Sequence, residues 1–151
     1  MKRFALALLL GFCSLACFAG PWSGTWTMRG DASNMTMTIV DVGAGWKVIY
    51  KASGAYGPGG KPVNYTSMFE TQADGKDSPH LIDGKPTGQT IAVKKIDDRH
   101  AVTVLKFEGK QTGTSKSEVS ADGKTITVQM DNAVDSPNGP KGKTTQVWDR
   151  K

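Results

Sequence analysis

The chain is nearly without cysteine. Cys13 and Cys17 are its two cysteines in 151 residues, and both lie close to the start. We expect both to be removed with a cleaved leader, so the exported domain would have no disulfide and would be held by its own core. The same absence excludes cysteine nucleophiles, zinc–thiolate sites and thiol redox motifs from that domain.

Histidine is as scarce as cysteine. His80 and His100 both lie in stretches of turn-like composition, and the sequence predicts that both are exposed loop residues. They form no spacing motif for zinc or for a catalytic base, and no Gly-x-Ser-x-Gly, His-Glu-x-x-His or phosphate-binding loop occurs. The sequence therefore predicts a protein that is not an enzyme and that uses no metal and no cofactor.

Long apolar runs are absent from the chain after its leader. Residues 1–19 combine a basic start, an apolar run too short to span a bilayer and small residues at the positions that a signal peptidase reads, which predicts cleavage before Gly20. The mature chain, 20–151, would be secreted or periplasmic, would form a single domain and would contain no transmembrane segment. The alternative is lipid anchoring at Cys17, because residues 14–17 loosely resemble a lipobox.

A strong charge of one sign is also missing. The formal net charge is +5, and the lysines are scattered through the turns rather than clustered. Nucleic-acid binding requires a concentrated basic patch or stripe. We therefore predict no nucleic-acid partner and interpret the charge as ordinary solvation.

No segment after the leader shows a sustained helical period, and alternation of apolar and polar residues dominates instead. The clearest case follows Asp122–Gly123, where Ile126, Val128 and Met130 alternate with threonine and glutamine. An Asp-Gly pair beside such a strand is a strong hairpin signal, because glycine accepts positive φ and aspartate bonds its own backbone.

Turn residues divide the rest of the chain at similar intervals. The Asp-Gly signal recurs at 74–75 and 83–84, and residues 72–88 are predicted to be mostly turn, with at most a short strand at 80–82. Roughly nine or ten short strands follow from this spacing, which is typical of a sandwich or a barrel. We favour an all-β, antiparallel up-and-down barrel of about 8–10 strands, because consecutive hairpins pair as a meander and closure removes exposed edges. A two-sheet sandwich is the alternative.

Two features resemble the lipocalin and wider calycin pattern. Gly24-Thr25-Trp26 lies on the first predicted strand, and Arg150 lies one residue from the C-terminus. In those families a Gly-x-Trp on the first strand plugs the closed end of the barrel, and a basic residue near the end of the chain stacks over the indole. The resemblance implies that Trp26 and Arg150 form a barrel-closing structural pair, with a cation–π contribution of roughly 0.5–2 kcal/mol.

The chain also resembles, more closely, a group of uncharacterised secreted bacterial proteins with a lipocalin-like β-barrel domain. The resemblance rests on the Gly-Thr-Trp start, on Gly-Lys-Pro-Val-Asn-Tyr at 60–65 and on residues 120–128 with the final strand that follows. It covers nearly the whole mature chain and implies a barrel without implying an activity. The chain departs from true lipocalins, because neither a helix after the barrel nor a disulfide can be read from it.

The apolar faces of the predicted strands mark the barrel interior. The residues predicted to face it are Trp46, Val48, Tyr50, Val63, Tyr65, Phe69, Ile91, Val93, Leu105, Phe107, Ile126, Val128 and Val147. If they leave a pocket, its mixture of aromatic rings and hydroxyls would suit a small apolar or amphipathic ligand. Ligand binding is then predicted at Trp46, Tyr50, Tyr56, Tyr65, Ser67, Phe69 and Phe107, with Tyr56 gating the mouth from a Gly-rich loop.

Two functions are therefore open at this stage. The first is a secreted or periplasmic, non-enzymatic barrel that binds a small hydrophobic molecule. The second is a structural or protein-interaction module whose barrel is solid and whose surface loops carry the function. A small molecule that co-purifies with the protein would distinguish the first from the second.

Overall fold

The computed structural model of the protein describes residues 20–30, 34–56, 62–135 and 141–151, without the side chains of residues 55, 56, 62 and 63. The predicted signal peptide at 1–19, with Cys17, lies outside the described residues. So do the Gly-rich segment 57–61, the side chain of Tyr56, and the side chain of Val63, which was predicted to face the barrel interior. No helix in the described part of the chain is long and apolar enough to cross a membrane.

The described residues form ten strands, and each pairs antiparallel with the next along the chain. The first strand also pairs with the last, through Trp26 opposite Arg150 and Met28 opposite Trp148. The meander is therefore a closed barrel, which confirms the predicted up-and-down topology and shows that the alternative of an open two-sheet sandwich is wrong. The strands are β1 Gly24–Met28, β2 Thr36–Val42, β3 Gly45–Tyr56, β4 Pro62–Thr71, β5 Asp74–Ile82, β6 Lys85–Lys95, β7 His100–Phe107, β8 Lys110–Val119, β9 Thr125–Asn132 and β10 Gly142–Arg150.

Two-residue turns hold neighbouring strands in register. At Asp83–Gly84 and at Glu108–Gly109 both turn residues have positive φ, between 48° and 78°. This is the backbone of the primed hairpin turns, whose twist matches that of the flanking strands. The Asp-Gly signal at 83–84 thus marks a real hairpin turn between β5 and β6.

The region predicted to be mostly turn is instead the full strand β5. Asp74–Gly75 lies inside this strand, where Gly75 has φ of 87° and the pairing with β6 shifts register between Asp74 and Asp77. A second shift occurs between Pro79 and Leu81. Turn-forming residues are tolerated here because they occupy bulges, where a ladder hydrogen bond is already interrupted.

Alternate residues of every strand point into the barrel, as the period of a strand requires. The buried apolar side chains form one continuous core that runs around the inside of the barrel. They are Trp22, Trp26, Met37, Ile39, Trp46, Val48, Phe69, Ala73, Ile91, Val93, Ala101, Leu105, Val119, Ile126, Met130 and Trp148. Four of these, Trp26, Trp148, Ile126 and Val119, are almost completely covered and lie at the end of the barrel where β1 begins and β10 finishes.

Two residues predicted to face the interior do not. Val147 pairs with Thr127 and is half-buried, while its neighbour Trp148 is 2% exposed and takes the inward position. The two residues are adjacent and both apolar, so only the register of β10 decides which one points inward. Phe107 is 48% exposed, because β7 ends there at the rim of the barrel.

Candidate functional site

One end of the barrel is sealed by Trp26 and Arg150. The guanidinium carbon of Arg150 lies 4.1 Å from the centroid of the Trp26 ring. The same guanidinium donates hydrogen bonds to three backbone carbonyl oxygens, those of Pro21 (2.6 Å), Ser23 (2.7 Å) and Gly123 (2.6 Å). Arg150 therefore ties the chain before β1 to the β8–β9 turn, over the face of a fully buried indole.

Gly24 makes room for this arrangement. A Cβ atom at Gly24 would lie 2.6 Å from Nη1 of Arg150, which is closer than atoms of that kind can approach. Its φ of 140° is also a backbone conformation that L side chains rarely adopt. The backbone conformation thus favours glycine at this position, and a larger side chain would have to displace the guanidinium that packs against it.

Further aromatic rings lie inside the sealed end. Trp22 and Trp46 have ring centroids 5.2 Å apart, and the Trp22 indole nitrogen donates to the backbone oxygen of Asp98 at 2.8 Å. Tyr50 and Trp148 form a second tilted pair, with centroids 5.9 Å apart. Tilted rings at these separations are the favourable geometry for aromatic pairs. Trp22, Trp46, Tyr50 and Trp148 together form the aromatic floor of the barrel.

Above that floor the barrel is hollow. It contains a cavity of about 220 Å³, and β3, β4, β5, β7, β8 and β10 contribute polar or aromatic side chains to its wall. The apolar part of its wall includes Trp22, Met28, Met35, Met37, Ile39, Trp46, Val48, Phe69, Ile91, Val93, Leu105, Ile126, Val128, Met130 and Trp148. The polar groups are Tyr50, Tyr65, Ser67, His80, Thr103, Ser115, Ser117 and Gln146.

The described wall of this cavity contains no aspartate, glutamate, lysine or arginine. Burial raises the pKa of Tyr50 to about 12, so its phenol stays protonated at any physiological pH. Burial likewise lowers the pKa of His80, which favours the neutral imidazole. The cavity is therefore an uncharged, mainly apolar chamber with hydroxyl groups in its wall.

His80 is the centre of a hydrogen-bonded chain in that wall. Its Nε2 lies 3.0 Å from Oγ of Ser67 on β4, and its Nδ1 lies 3.1 Å from Oγ1 of Thr87 on β6. The prediction that His80 is an exposed loop residue is wrong: it lies on β5, is 9% exposed and faces the barrel interior. His100, by contrast, opens β7 at the surface and contacts Asp97 at 2.8 Å.

The folded protein is expected to lose stability as the pH is lowered from about 7 towards 5. Because the pKa of His80 is lower in the folded than in the unfolded chain, the unfolded chain binds a proton first. The contribution of His80 is thus complete above its unfolded-state pKa and is lost as the pH falls from that value through the lower folded-state pKa. Urea unfolding at both pH values should show a larger loss for the wild type than for His80→Gln, which cannot titrate at this position.

Equal losses for the two proteins would contradict this assignment. The aspartates whose pKa is lowered by their partners, such as Asp97 beside His100 and Arg99 and Asp149 beside Arg29, release their protons below this pH window. The comparison therefore isolates His80.

The structure brings together five of the residues predicted to bind a ligand. Trp46, Tyr50, Tyr65, Ser67 and Phe69 all line the cavity from β3 and β4. Phe107 does not line it, because it stands at the rim and covers Gly88 from outside the chamber. The side chain of Tyr56, the predicted gate, lies outside the described residues.

Several cavity residues were not predicted from the sequence. His80 was missed because its surroundings have turn composition, and Trp148 because Val147 was placed on the inner face. Thr103, Ser115 and Ser117 were missed because a polar strand gives no sign of its inner face. Lys116, a charged residue expected to face solvent, could have indicated that its neighbour Ser115 faces inward, and the structure shows Lys116 exposed and Ser115 buried.

One donor in the wall has no acceptor. The indole N–H of Trp148 is buried and has no hydrogen-bond partner among the described residues. The neighbouring Tyr50 ring offers at most a weak N–H···π contact. A buried donor in this position is costly to leave unpaired, and an oxygen on a bound molecule is one way to satisfy it.

Comparison of the chain with protein-family models, with curated proteins and with solved structures found no match.

Proposed function

We propose that the protein is a binding barrel that holds a small, mainly apolar molecule outside the cytoplasm. The observation that carries this proposal is the uncharged cavity of about 220 Å³ above the aromatic floor. A barrel that served only as a scaffold would be expected to fill its interior with side chains, since protein cores are close-packed. Here small residues such as Ser115, Ser117 and Ala101 leave that space open.

The cavity volume limits the size of the ligand. An engineered cavity of about 150 Å³ lined by apolar side chains takes benzene, whereas sites for drug-sized molecules begin at about 300 Å³. A space between these values suits a single ring with a short substituent, or a short branched chain. Long-chain lipids are too large for the described chamber.

Access is proposed from the end opposite Trp26. The exposed apolar side chains Ile82 and Phe107 lie beside the β5–β6 and β7–β8 turns at that end. Apolar groups on a rim lower the cost of moving an apolar molecule from water to the interior, because they cover part of its surface on the way. The aromatic floor and Arg150 block the other end.

Export of the protein is part of the proposal. The backbone nitrogen of Gly20 lies 3.0 Å from a carboxylate oxygen of Asp41. If the leader is cleaved before Gly20, that nitrogen becomes a cationic α-amino group with a carboxylate already beside it. This contact supports a new N-terminus at Gly20, and N-terminal sequencing of protein recovered from the periplasm or the medium would test it.

We also infer kinship with lipocalin-like barrels. The supporting observation is that Gly24, Trp26 and Arg150 form one contact cluster at the sealed end, with the guanidinium packed against both Gly24 and the Trp26 ring. That is the arrangement which the Gly-x-Trp resemblance implies. A structure of any binding barrel with the same cluster and strand order would test it.

Filling the cavity is expected to abolish binding. Ser115→Phe places a ring in the chamber, so the affinity for toluene should fall at least about ten-fold because the ligand and the new side chain exclude each other. Lys116→Phe is the matched control, since Lys116 is the next residue of β8 and points to solvent. Isothermal titration calorimetry measures both affinities, and far-ultraviolet circular dichroism confirms that both variants are folded.

Two outcomes would overturn the proposed function. One is that wild-type protein binds no toluene and carries no small molecule in native mass spectrometry. The other is that both phenylalanine variants bind toluene as well as the wild type. Either result would favour the module with functional surface loops.

A further inference from the structure

The hydrogen bonds around His80 fix the direction in which each proton points. The Thr87 hydroxyl lies 3.1 Å from the backbone oxygen of His80, to which it donates, and it accepts a hydrogen bond from the backbone N–H of Gln89 at 3.2 Å. A hydroxyl has one proton, so Thr87 can only accept from Nδ1 of His80, 3.1 Å away. Every donor in this group is satisfied when the proton of the neutral imidazole sits on Nδ1.

That assignment leaves Nε2 of His80 as an acceptor. The Ser67 hydroxyl, 3.0 Å away, must then donate its proton to Nε2. Ser67 is 5% exposed and lines the cavity, so its oxygen has lone pairs but no proton left for a molecule inside the barrel. The chain of hydrogen bonds thus turns a serine, which could donate or accept, into an acceptor.

The other groups that face His80 do not reverse this chain. Ser67 and Thr87 are its partners on β4 and β6, and the titratable groups elsewhere in the described wall are Tyr50 and Tyr65. Burial raises the pKa of the Tyr50 phenol to about 12, so this group carries no charge at neutral pH. No charged side chain of the described wall is available to protonate His80 or to stabilise its cation.

We propose that Ser67, held as an acceptor by His80 and Thr87, recognises a hydroxyl group on the ligand, so that the ligand is a small apolar alcohol or phenol. This inference rests on the proposed binding function and adds the chemical class of the ligand. The hydroxyl of the ligand donates to Oγ of Ser67. Its own oxygen remains free to accept from a wall donor, such as the Tyr50 hydroxyl, for which no hydrogen bond to another described residue is found.

Three aromatic probes of similar size separate the alternatives at about pH 7.5. Phenol can donate and accept, acetophenone can only accept, and toluene can do neither. Ser67→Val and Ser67→Thr form a matched pair, because valine and threonine have nearly the same shape and only threonine keeps the hydroxyl. Each affinity is measured by isothermal titration calorimetry on the full mature chain.

The expected result is that phenol binds Ser67→Val about five-fold more weakly than Ser67→Thr, as for the loss of one neutral hydrogen bond. Toluene and acetophenone should bind the two variants equally. Equal losses for all three probes would overturn the proposal, and so would a loss confined to acetophenone, since Ser67 would then be a donor. If no probe binds even the wild type, the proposed function fails and this inference fails with it.

A measurement on the unmodified protein covers the case in which Ser67→Val does not fold. Long-range proton–nitrogen correlation spectra distinguish Nδ1–H from Nε2–H imidazole, and His80→Gln identifies the His80 signals. The proposal requires the Nδ1–H form and a shift of the Nε2 resonance on adding phenol that toluene does not produce. Observation of the Nε2–H form, or equal shifts with both probes, would overturn it.

Discussion

Replacing Trp26 by alanine is expected to lower the free energy of unfolding by about 3–5 kcal/mol, the usual cost of removing a buried tryptophan. Trp26 is fully buried, and its indole nitrogen donates to the backbone oxygen of Trp22 at 3.0 Å. The substitution removes that hydrogen bond and the aromatic face on which Arg150 stacks, beneath a guanidinium that ties the chain before β1 to the β8–β9 turn. A loss of this size is a large part of the roughly 5–15 kcal/mol that stabilises a typical domain.

Urea unfolding followed by circular dichroism measures this loss. Trp26→Phe is the intermediate variant, because it keeps an aromatic ring under Arg150. It should lower the free energy of unfolding clearly less than Trp26→Ala does. Thr25→Ala is the control on the same strand, since Thr25 is the preceding residue of β1 and is only half-buried. If Trp26→Ala unfolds within about 1 kcal/mol of the wild type, the sealed end is not the structural anchor described above.

Gly45→Ala is expected to destabilise the barrel by about 3 kcal/mol, at the upper end of the range for overpacked positions. A Cβ atom at Gly45 would overlap the backbone oxygen of Thr71 and would lie 2.5 Å from the Cα of Gln72. Both obstacles are backbone atoms at the end of β4, so no side-chain rotation can relieve the overlap. The first pairs between β3 and β4, such as Trp46 with Thr71, would have to separate.

Gly84→Ala is the control for this prediction. Gly84 has φ of 77°, but nothing lies within 4 Å of the position its Cβ would take. Alanine there should cost only about 1–2 kcal/mol, the penalty of the left-handed backbone. Urea unfolding should therefore give Gly45→Ala a lower free energy of unfolding than Gly84→Ala. The reverse order would show that backbone conformation matters more than close atomic approach at these two glycines.

The hairpin turns show which structural features can be predicted from local sequence and which cannot. Asp83–Gly84 was predicted as a turn and is one, because the residues that favour positive φ act through their own backbone and need no distant partner. Asp74–Gly75 carries the same signal yet lies in a bulge of β5. The difference arises from β6, which pairs with residues on both sides of Gly75 and draws them into the sheet.

The cavity shows where local sequence stops being informative. Its aromatic side, with Trp46, Tyr50 and Phe69, was predicted from alternation along β3 and β4. Its histidine was not, since a lone His80 between proline and leucine has the same local sequence whether it faces water or the interior. Only the pairing of β5 with β4 and β6 brings Ser67 and Thr87 to its two ring nitrogens.

The sequence alone determined that this chain forms short antiparallel strands joined by tight turns, because turn residues and a period of two are properties of neighbouring residues. It favoured a closed barrel over a two-sheet sandwich, and the pairing of β1 with β10 decided between them. It also indicated Trp26 and Arg150 as a pair, on the strength of a resemblance. The tertiary structure decided which face of β10 points inward, that the interior is hollow rather than filled, and that His80 belongs to it. Those features depend on register and on the volume left between ten strands, and neither quantity is encoded in any single segment.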